Sequence, residues 1–338
     1  MKLLKLTSTQ INELLEFNKI IFPDRANVKE HFQFLYVENP LVQDKSNPHG
    51  LLTFNDSNEI IGQFMLTPAE FYYNGQLSKC FFGCDYYVLK DYRHSGAGAL
   101  LAMKAIYGYK PYFTIGASED AKKISLSLKT NYIGDLNKFI KVKNIFTPFK
   151  ILLRKITGQK IHGKSTTKYF PETIKVDAHS FKLLRSIIKW DYQFTDKKYI
   201  EFSRTLEFIK WRFLSRPDTY YFYQMEGTNC FFVCRELFWH GLNLLALVDF
   251  RASTKESTDF SLLLKASQKI IATTKLDGLL TMSSLSVFDR ILQKNGFIKI
   301  GRPQPILTNA PVEISPPQIE NRDIIFATMA DCDIELNI

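Results

Sequence analysis

Apolar positions along the chain switch between two periods, and the switches mark its elements. Leu3 to Leu6 read as a short strand. Ser8 or Thr9 can cap a helix, and apolar positions then recur at helical spacing to about Ile20. A second helical stretch runs from about Val28 to Val37 and ends at "ENP". Leu51–Phe54 and Ile60–Pro68 have the aromatic and aliphatic content of strands. "FYYNGQLSKCFFGCDYYVL" follows, and its Asn74-Gly75 pair tolerates positive φ, the strongest short hairpin signal. The strand leaving that hairpin ends at Leu89. "YRHSGAGALLAMKAIYGY" then turns through glycines into a helix from about Gly96 to Tyr107. A strand near Tyr112–Ala117, a helix from about Glu119 to Lys129 and a strand in "TNYIGDLNKFIKV" complete this stretch.

From Lys141 to about Asp177 the period is lost. The segment is rich in Lys, Thr and Gly and reads as a crossover containing one amphipathic piece, "FKILLRKI". Beyond it the first pattern returns. "HFQFLYVENP" (His31–Pro40) aligns with "FIKWRFLSRP" (Phe208–Pro217), prolines in register. "IIGQFML" matches "CFFVCREL", "GCDYYVL" matches "LALVDFR", "FTIGAS" matches "LLTMSS", and "LKTNYI" matches "LQKNGFI", all in the same order. The chain thus reads as two copies of one α/β unit. The copies differ where the glycines stand: the second has "STKEST" before its helix "DFSLLLKASQKIIATT". The tail after Pro317 adds a strand near Ile324–Met329 and an acidic end.

The length of 338 residues agrees with two domains, and a hydrophobic share of 45% supports a full core and argues against disorder. The net charge of +10 admits nucleic acid, an anionic surface or a phosphorylated ligand, and much of the excess lies between Lys141 and Lys175. No cationic stretch followed by an apolar one opens the chain, and no apolar run approaches the ~20 residues of a membrane-spanning helix. The expectation is a cytoplasmic protein without a membrane span. Two C-x3-C pairs, Cys80/Cys84 and Cys230/Cys234, invite a zinc reading. Both lie in strand-like sequence, where residues four apart stand roughly 13 Å from each other, too far for one metal. Buried, reduced thiols fit better, and no metal is expected.

The glycine turn offers chemistry. The first N–H groups of a helix have no partner within it and carry partial positive charge, which suits phosphate. Gly96 and Gly98 lack a Cβ and permit close approach, and Lys90, Arg93 and His94 stand nearby in sequence. The dinucleotide fingerprint and the P-loop both require residues that are absent here.

Arg93-x-x-Gly96-x-Gly98 resembles the R/Q-x-x-G-x-G/A signature of the GNAT superfamily, the acyl-CoA-dependent N-acyltransferases. "VLKDYRHSGAGALL" is similar to that family's longer pattern, with Lys90 in place of the usual proline. The resemblance implies two tandem domains, each an α/β (α+β) fold with a central mixed, mostly antiparallel sheet flanked by helices. The first would span residues 1–145, a basic linker 146–176, and a degenerate second copy 177–338. It implies that Tyr87, Val88 and Leu89 hold the pantetheine arm of acetyl-CoA or another acyl-CoA. Arg93, His94, Ser95, Gly96, Ala97, Gly98 and Ala99 would hold the pyrophosphate.

Many members protonate the leaving thiolate with a tyrosine, whose place here falls on Ser127. A serine hydroxyl is a poor acid. Asp85, on the strand that would flank the thioester, is the candidate base for freeing the attacking amine. It is also readable as a structural acid, and Asp249 lies close to its place in the second copy. The resemblance implies acetyl transfer to a small-molecule primary amine, an amino sugar or a cell-envelope precursor. Two alternatives stay open. One is a Fem-type transferase, which would take its group from charged tRNA and suits the positive charge. The other is an acyl-CoA-binding protein without catalysis.

Overall fold

The computed structural model describes residues 1–25, 27–144, 170–190, 196–255, 257–311 and 323–332. In chain order its elements are β1 (Lys2–Lys5), α1 (Ile11–Ile21), α2 (Val28–Phe32), β2 (Gly50–Phe54), β3 (Ile60–Tyr73), β4 (Gln76–Val88), α3 (Ala97–Gly108), β5 (Tyr112–Ile115), α4 (Glu119–Ser127) and β6 (Asn131–Val142). There follow β7 (Thr173–Val176), β8 (His179–Leu184), β9 (Ile200–Phe202), α5 (Leu206–Ile209), β10 (Tyr221–Met225), β11 (Phe231–Trp239), β12 (Leu242–Arg251), α6 (Ser257–Thr273), β13 (Gly278–Ser283), α7 (Ser286–Lys294), β14 (Ile298–Thr308) and β15 (Ile325–Phe326).

The internal repeat is carried into structure. Both α2 and α5 run on into a π-helical turn, Gln33–Val37 and Lys210–Leu214, at the spacing of the aligned prolines. Each helix is capped by a side chain: Asn27 accepts the Glu30 amide and Thr205 the Phe208 amide. The order β3–β4–α3–β5–α4–β6 recurs as β11–β12–α6–β13–α7–β14. At Asn74-Gly75 the hairpin has φ of 51° and 80°, which the pair was expected to supply. The first helix starts later than its sequence suggests. Thr7 forms the capping box, around a short 3-10 turn at Ser8–Gln10.

Two compact units share the chain. One consists of Met1–Asp135 and the segment from Gln304; the other of Leu136–Pro303 and the segment from Asp323. In unit 1 the order is β1-β2-β3-β4-β5, antiparallel except for β4–β5, and the end of β14 closes it against β5. In unit 2 the order is β7-β8-β10-β11-β12-β13, with β12–β13 parallel and the end of β6 closing it against β13. Each copy therefore lends its last strand to the other unit. Local sequence carries no trace of that exchange, which is why a division at 145 and 177 does not coincide with the compact units. Within the stretch read as a crossover, β7 already begins at Thr173 and pairs with β8. "FKILLRKI" lies outside the described residues.

The central strands of unit 2 explain their own composition. β12 and β13 are buried along nearly their whole length and read as continuous apolar runs, as parallel strands covered on both faces do. In unit 1 the core beneath α3 gathers Leu101, Ala102, Ala105 and Ile106 from the helix with Ile61, Phe64 and Val88 from the sheet. Cys80, Cys230 and Cys234 are buried and Cys84 half-buried, all as free thiols. Burial pushes the Cys80 and Cys234 thiols well up. Among the described residues no group of three or more metal-binding side chains gathers, and no helix is long and apolar enough to cross a membrane.

Candidate functional site

The site is built on a fork. β4 pairs with β5 in parallel only at Phe81–Tyr112 and Phe82–Phe113, although β4 continues to Val88. Past Phe82 the ladder with β5 stops, and that edge of β4 runs on towards the glycine turn. On its other edge β4 stays paired with β3 through a bulge. Gln63 stands opposite Tyr87 and Met65 opposite Cys84, so that Asp85 and Tyr86 together face Phe64. Asp85 takes the extra residue's turn with φ of 44°, and Gln63 Nε2 donates to its carbonyl at 3.1 Å.

Beyond β4 the chain passes through a 3-10 turn, Lys90–Ser95, before α3 begins. Gly96 joins the two with φ of 83°, a conformation that a side chain disfavours, and nothing stands within 4 Å of where its Cβ would be. The first intrahelical bond of α3 is Leu100 N–H to Gly96 O at 3.0 Å, so the amides of Gly98 and Ala99 precede it. The Ala97 amide donates to Ser95 Oγ at 3.3 Å, and that hydroxyl donates to Tyr92 O at 2.7 Å. Arg93 bends back onto the strand: its Nε donates to Val88 O at 3.3 Å and its guanidinium lies 5.7 Å from the Tyr87 ring centre. Lys90, Arg93, His94, Ser95, Gly96 and Ala99 are exposed, while Val88 and Ala97 are buried. The ten expected cofactor residues follow one another along the chain from the end of β4 to the first turn of α3, but Val88 and Ala97 turn their side chains into the core. An open left-handed glycine, early helix amides and flanking cations fit a diphosphate.

The two expected catalytic residues are placed otherwise. Both carboxylate oxygens of Asp85 are engaged: Arg25 grips them at 2.7 and 3.0 Å, and Tyr36 Oη donates at 2.9 Å. The side chain is only 2% exposed. Arg25 lies 4.1 Å over Phe22, which in turn meets Tyr87 edge-on. Asp85 ties the segment between α1 and α2 to the bulge. Ser127 ends α4 on the exposed surface and donates to Ile124 O at 2.7 Å. Its hydroxyl caps its own helix. The tyrosine-for-serine register that singled it out fixes a place in sequence but not a direction.

Asp249 shows that the arrangement is structural in kind. β12 carries a bulge at the corresponding place, with Val233 opposite Asp249 and Cys234 opposite Leu247. Asp249 is fully buried and accepts from Arg204 at 2.7 and 3.1 Å, from Arg251 at 2.8 Å and from Thr328 at 2.8 Å. Burial works to raise its carboxyl, but the two guanidinium groups outweigh that and hold it below the usual range. The two aspartates are bulge anchors, each bound by an arginine from the segment before its capped helix.

Two residues near the fork escaped sequence reasoning. Tyr86 stacks on Phe64 at 4.7 Å, and burial pushes its phenol up to about 12. Gln63 holds the bulge carbonyl while its Oε1 is buried without a hydrogen-bond partner among the described residues. An aromatic in a strand and a glutamine on the strand beside it read as ordinary sheet; only the bulge distinguishes them.

A parallel pair that opens past its first residues, a bulge on the long strand and a glycine turn into the following helix decide the architecture. The fold is that of the GCN5-related N-acetyltransferases. Such an enzyme from Anabaena variabilis superposes with a TM-score of 0.55 at 10% identity, over 90% of this chain and 72% of that one. A protein of Pyrococcus horikoshii assigned to the acetyltransferases gives 0.53 at 13% identity, over 96% and 92%. N-myristoyltransferase of Saccharomyces cerevisiae, solved with bound myristoyl-CoA, gives 0.53 at 12% identity, over 91% and 79%. No protein-family model matches the sequence, and no curated protein does.

Proposed function

We propose that the chain is an acyl-CoA-dependent N-acyltransferase whose acyl-CoA site lies in unit 1. The observation that carries this reading is the open edge of β4 leading into the Gly96 turn. The residues fit the group: Gly96 leaves open space, the amides of Gly98 and Ala99 precede the first helix bond, and Arg93 flanks the strand end. Gly96 through Ala99, with Arg93 and His94, would hold the pyrophosphate. Tyr87, Val88 and Leu89 would lie along the pantetheine. Bound there, acyl-CoA supplies a thioester; an amine forms a C–N bond to its carbonyl carbon as the C–S bond breaks, and the amine's proton leaves with the thiolate or to water.

The chain's own contribution is placement. Asp85, held by Arg25 and Tyr36, positions the bulge against the segment between α1 and α2. The acceptor is a small primary amine, with an amino sugar or an envelope precursor as the class to test first. Binding without catalysis is the second reading, favoured by the engagement of Asp85 with Arg25 and of Ser127 with its own helix. Calorimetry with acetyl-CoA tests the site and should give micromolar binding. Thiol release over a panel of amino sugars and envelope amines tests turnover. Binding without release across the panel selects the second reading, and no binding overturns both.

A further inference from the structure

Tyr86 reaches the glycine turn from the β4 bulge. Its ring is stacked on Phe64 at 4.7 Å, and its hydroxyl lies 2.7 Å from where a Cβ of Gly98 would be. Gly98 is therefore small because a phenol occupies its side-chain space, whereas Gly96 faces open space. In a helix each Cα–Cβ bond tilts towards the N-terminus. The hydroxyl thus stands at the N-terminal end of α3, the end to which the amides of Gly98 and Ala99 also point. Three other phenols of unit 1 are tied to the protein: Tyr36 donates to Asp85, Tyr107 donates to Leu128 O, and Tyr92 accepts from Asn55. The Tyr86 hydroxyl has no hydrogen-bond partner among the described residues and keeps contact with solvent. Burial of its ring pushes the phenol up to about 12, so the proton stays on it.

We infer that the Tyr86 hydroxyl donates a hydrogen bond to the diphosphate of the bound acyl-CoA, a side-chain donor beside the amides of Gly98 and Ala99. This rests on the reading of unit 1 as an acyl-CoA site. Phe64 holds the ring and Gly98 admits the hydroxyl, so the donor is in place before the ligand arrives and little ordering is left to oppose binding. The second copy lacks both parts of the arrangement. In the alignment of "GCDYYVL" with "LALVDFR", Val248 stands in the place of Tyr86, and "STKEST" stands where the turn glycines would be. Phenol and glycine turn are thus present together in unit 1 and missing together from the other copy.

Calorimetry with acetyl-CoA, and competition by acetyl-pantetheine, which lacks the phosphates, separate the diphosphate from the rest of the ligand without turnover. Tyr86→Phe keeps the ring and should weaken acetyl-CoA about tenfold, the loss of one hydrogen bond to a charged acceptor. It should leave acetyl-pantetheine within twofold. Gly98→Ala sets a methyl group against the hydroxyl and should weaken acetyl-CoA in the same selective way. In the double variant Tyr86→Phe/Gly98→Ala the methyl finds the space vacated, so the two losses should not add. If Tyr86→Phe does not fold, Gly98→Ala carries the same comparison of the two ligands. Acetyl-CoA binding within twofold of the natural protein in folded Tyr86→Phe overturns the inference while the site stands. Equal losses for acetyl-CoA and acetyl-pantetheine assign the hydroxyl to the pantetheine arm and overturn it too. Absence of acetyl-CoA binding in the natural protein removes the site and the inference with it.

Discussion

The two forks of this molecule have the same construction and different contents. In unit 1 the β4–β5 ladder ends at Phe82–Phe113, and the strand edge beyond leads to an open glycine turn. In unit 2 the β12–β13 ladder ends at Leu247–Thr281, and β12 also runs on, to Arg251. There the protein's own C-terminal segment fills the gap. Ser284, just past β13, donates to Ile325 O at 2.6 Å and accepts the Ala327 amide at 2.7 Å. On the β12 side Thr328 donates to Asp249, Phe326 lies under Arg251 at 4.5 Å, and Asp331 binds Arg204 at 2.7 Å. A segment whose sequence suggested only an added strand holds the second fork shut. Divergence of two parallel strands makes a groove in either copy, and what the groove receives depends on the turn beyond it and on which part of the chain can reach it.

The sharpest way to break the comparison is to remove the open turn. Gly96→Glu puts a side chain at φ of 83° and a carboxylate where a diphosphate would sit. Acetyl-CoA binding should fall by more than about 100-fold in calorimetry, from one equivalent per chain to none. Residual binding at full stoichiometry would show that the second fork takes the ligand after all.

The anchors come next. Asp249→Ala leaves Arg204 and Arg251 buried with one carboxylate fewer and should cost about 3–5 kcal/mol in denaturant unfolding. Asp85→Ala removes a carboxylate from one arginine instead of two and should cost less, while leaving acetyl-CoA binding within a few-fold. Loss of binding in a folded Asp85→Ala protein would place Asp85 in the site itself.

Ser284→Ala tests the strap. It removes the hydroxyl that serves both Ile325 and Ala327 and should cost about 1–3 kcal/mol. The smallest effect concerns pH. Burial raises the Asp289 carboxyl to about 6, with Asn137 donating to it at 2.6 Å. The folded state therefore holds this proton more tightly than the unfolded chain does. Its contribution to stability is fullest below the ordinary carboxylate value and is lost as pH rises to about 6. Asp289→Asn should flatten that part of the stability profile, and an unchanged slope would assign it to another group.

Much of this was readable in the residues. The aligned prolines marked corresponding helix ends in the two copies, Asn74-Gly75 the hairpin, and Arg93-x-x-Gly96-x-Gly98 the turn at the head of α3, because each depends on local backbone chemistry. Three things were not. A bulge leaves no mark in sequence, so Asp85 stayed open between a base and a structural acid, and its hold by Arg25 and Tyr36 could not be read. Gly98 read as room for a ligand when its side-chain space belongs to Tyr86, a contact set by the sheet. The filling of the second fork brings Thr328 and Asp331 to Asp249 and Arg204 from far along the chain, where no periodicity reports it.

The traded closing strands carry a practical consequence. Ile306–Thr308 complete the sheet beside β5, and Asn137–Val142 complete the one beside β13. A fragment cut between the copies would carry its neighbour's missing edge and lack its own. Expressed alone, either piece should expose a raw strand and precipitate. Expressed together from separate genes, the two should find each other and co-purify, a ready-made split reporter whose halves are useless apart.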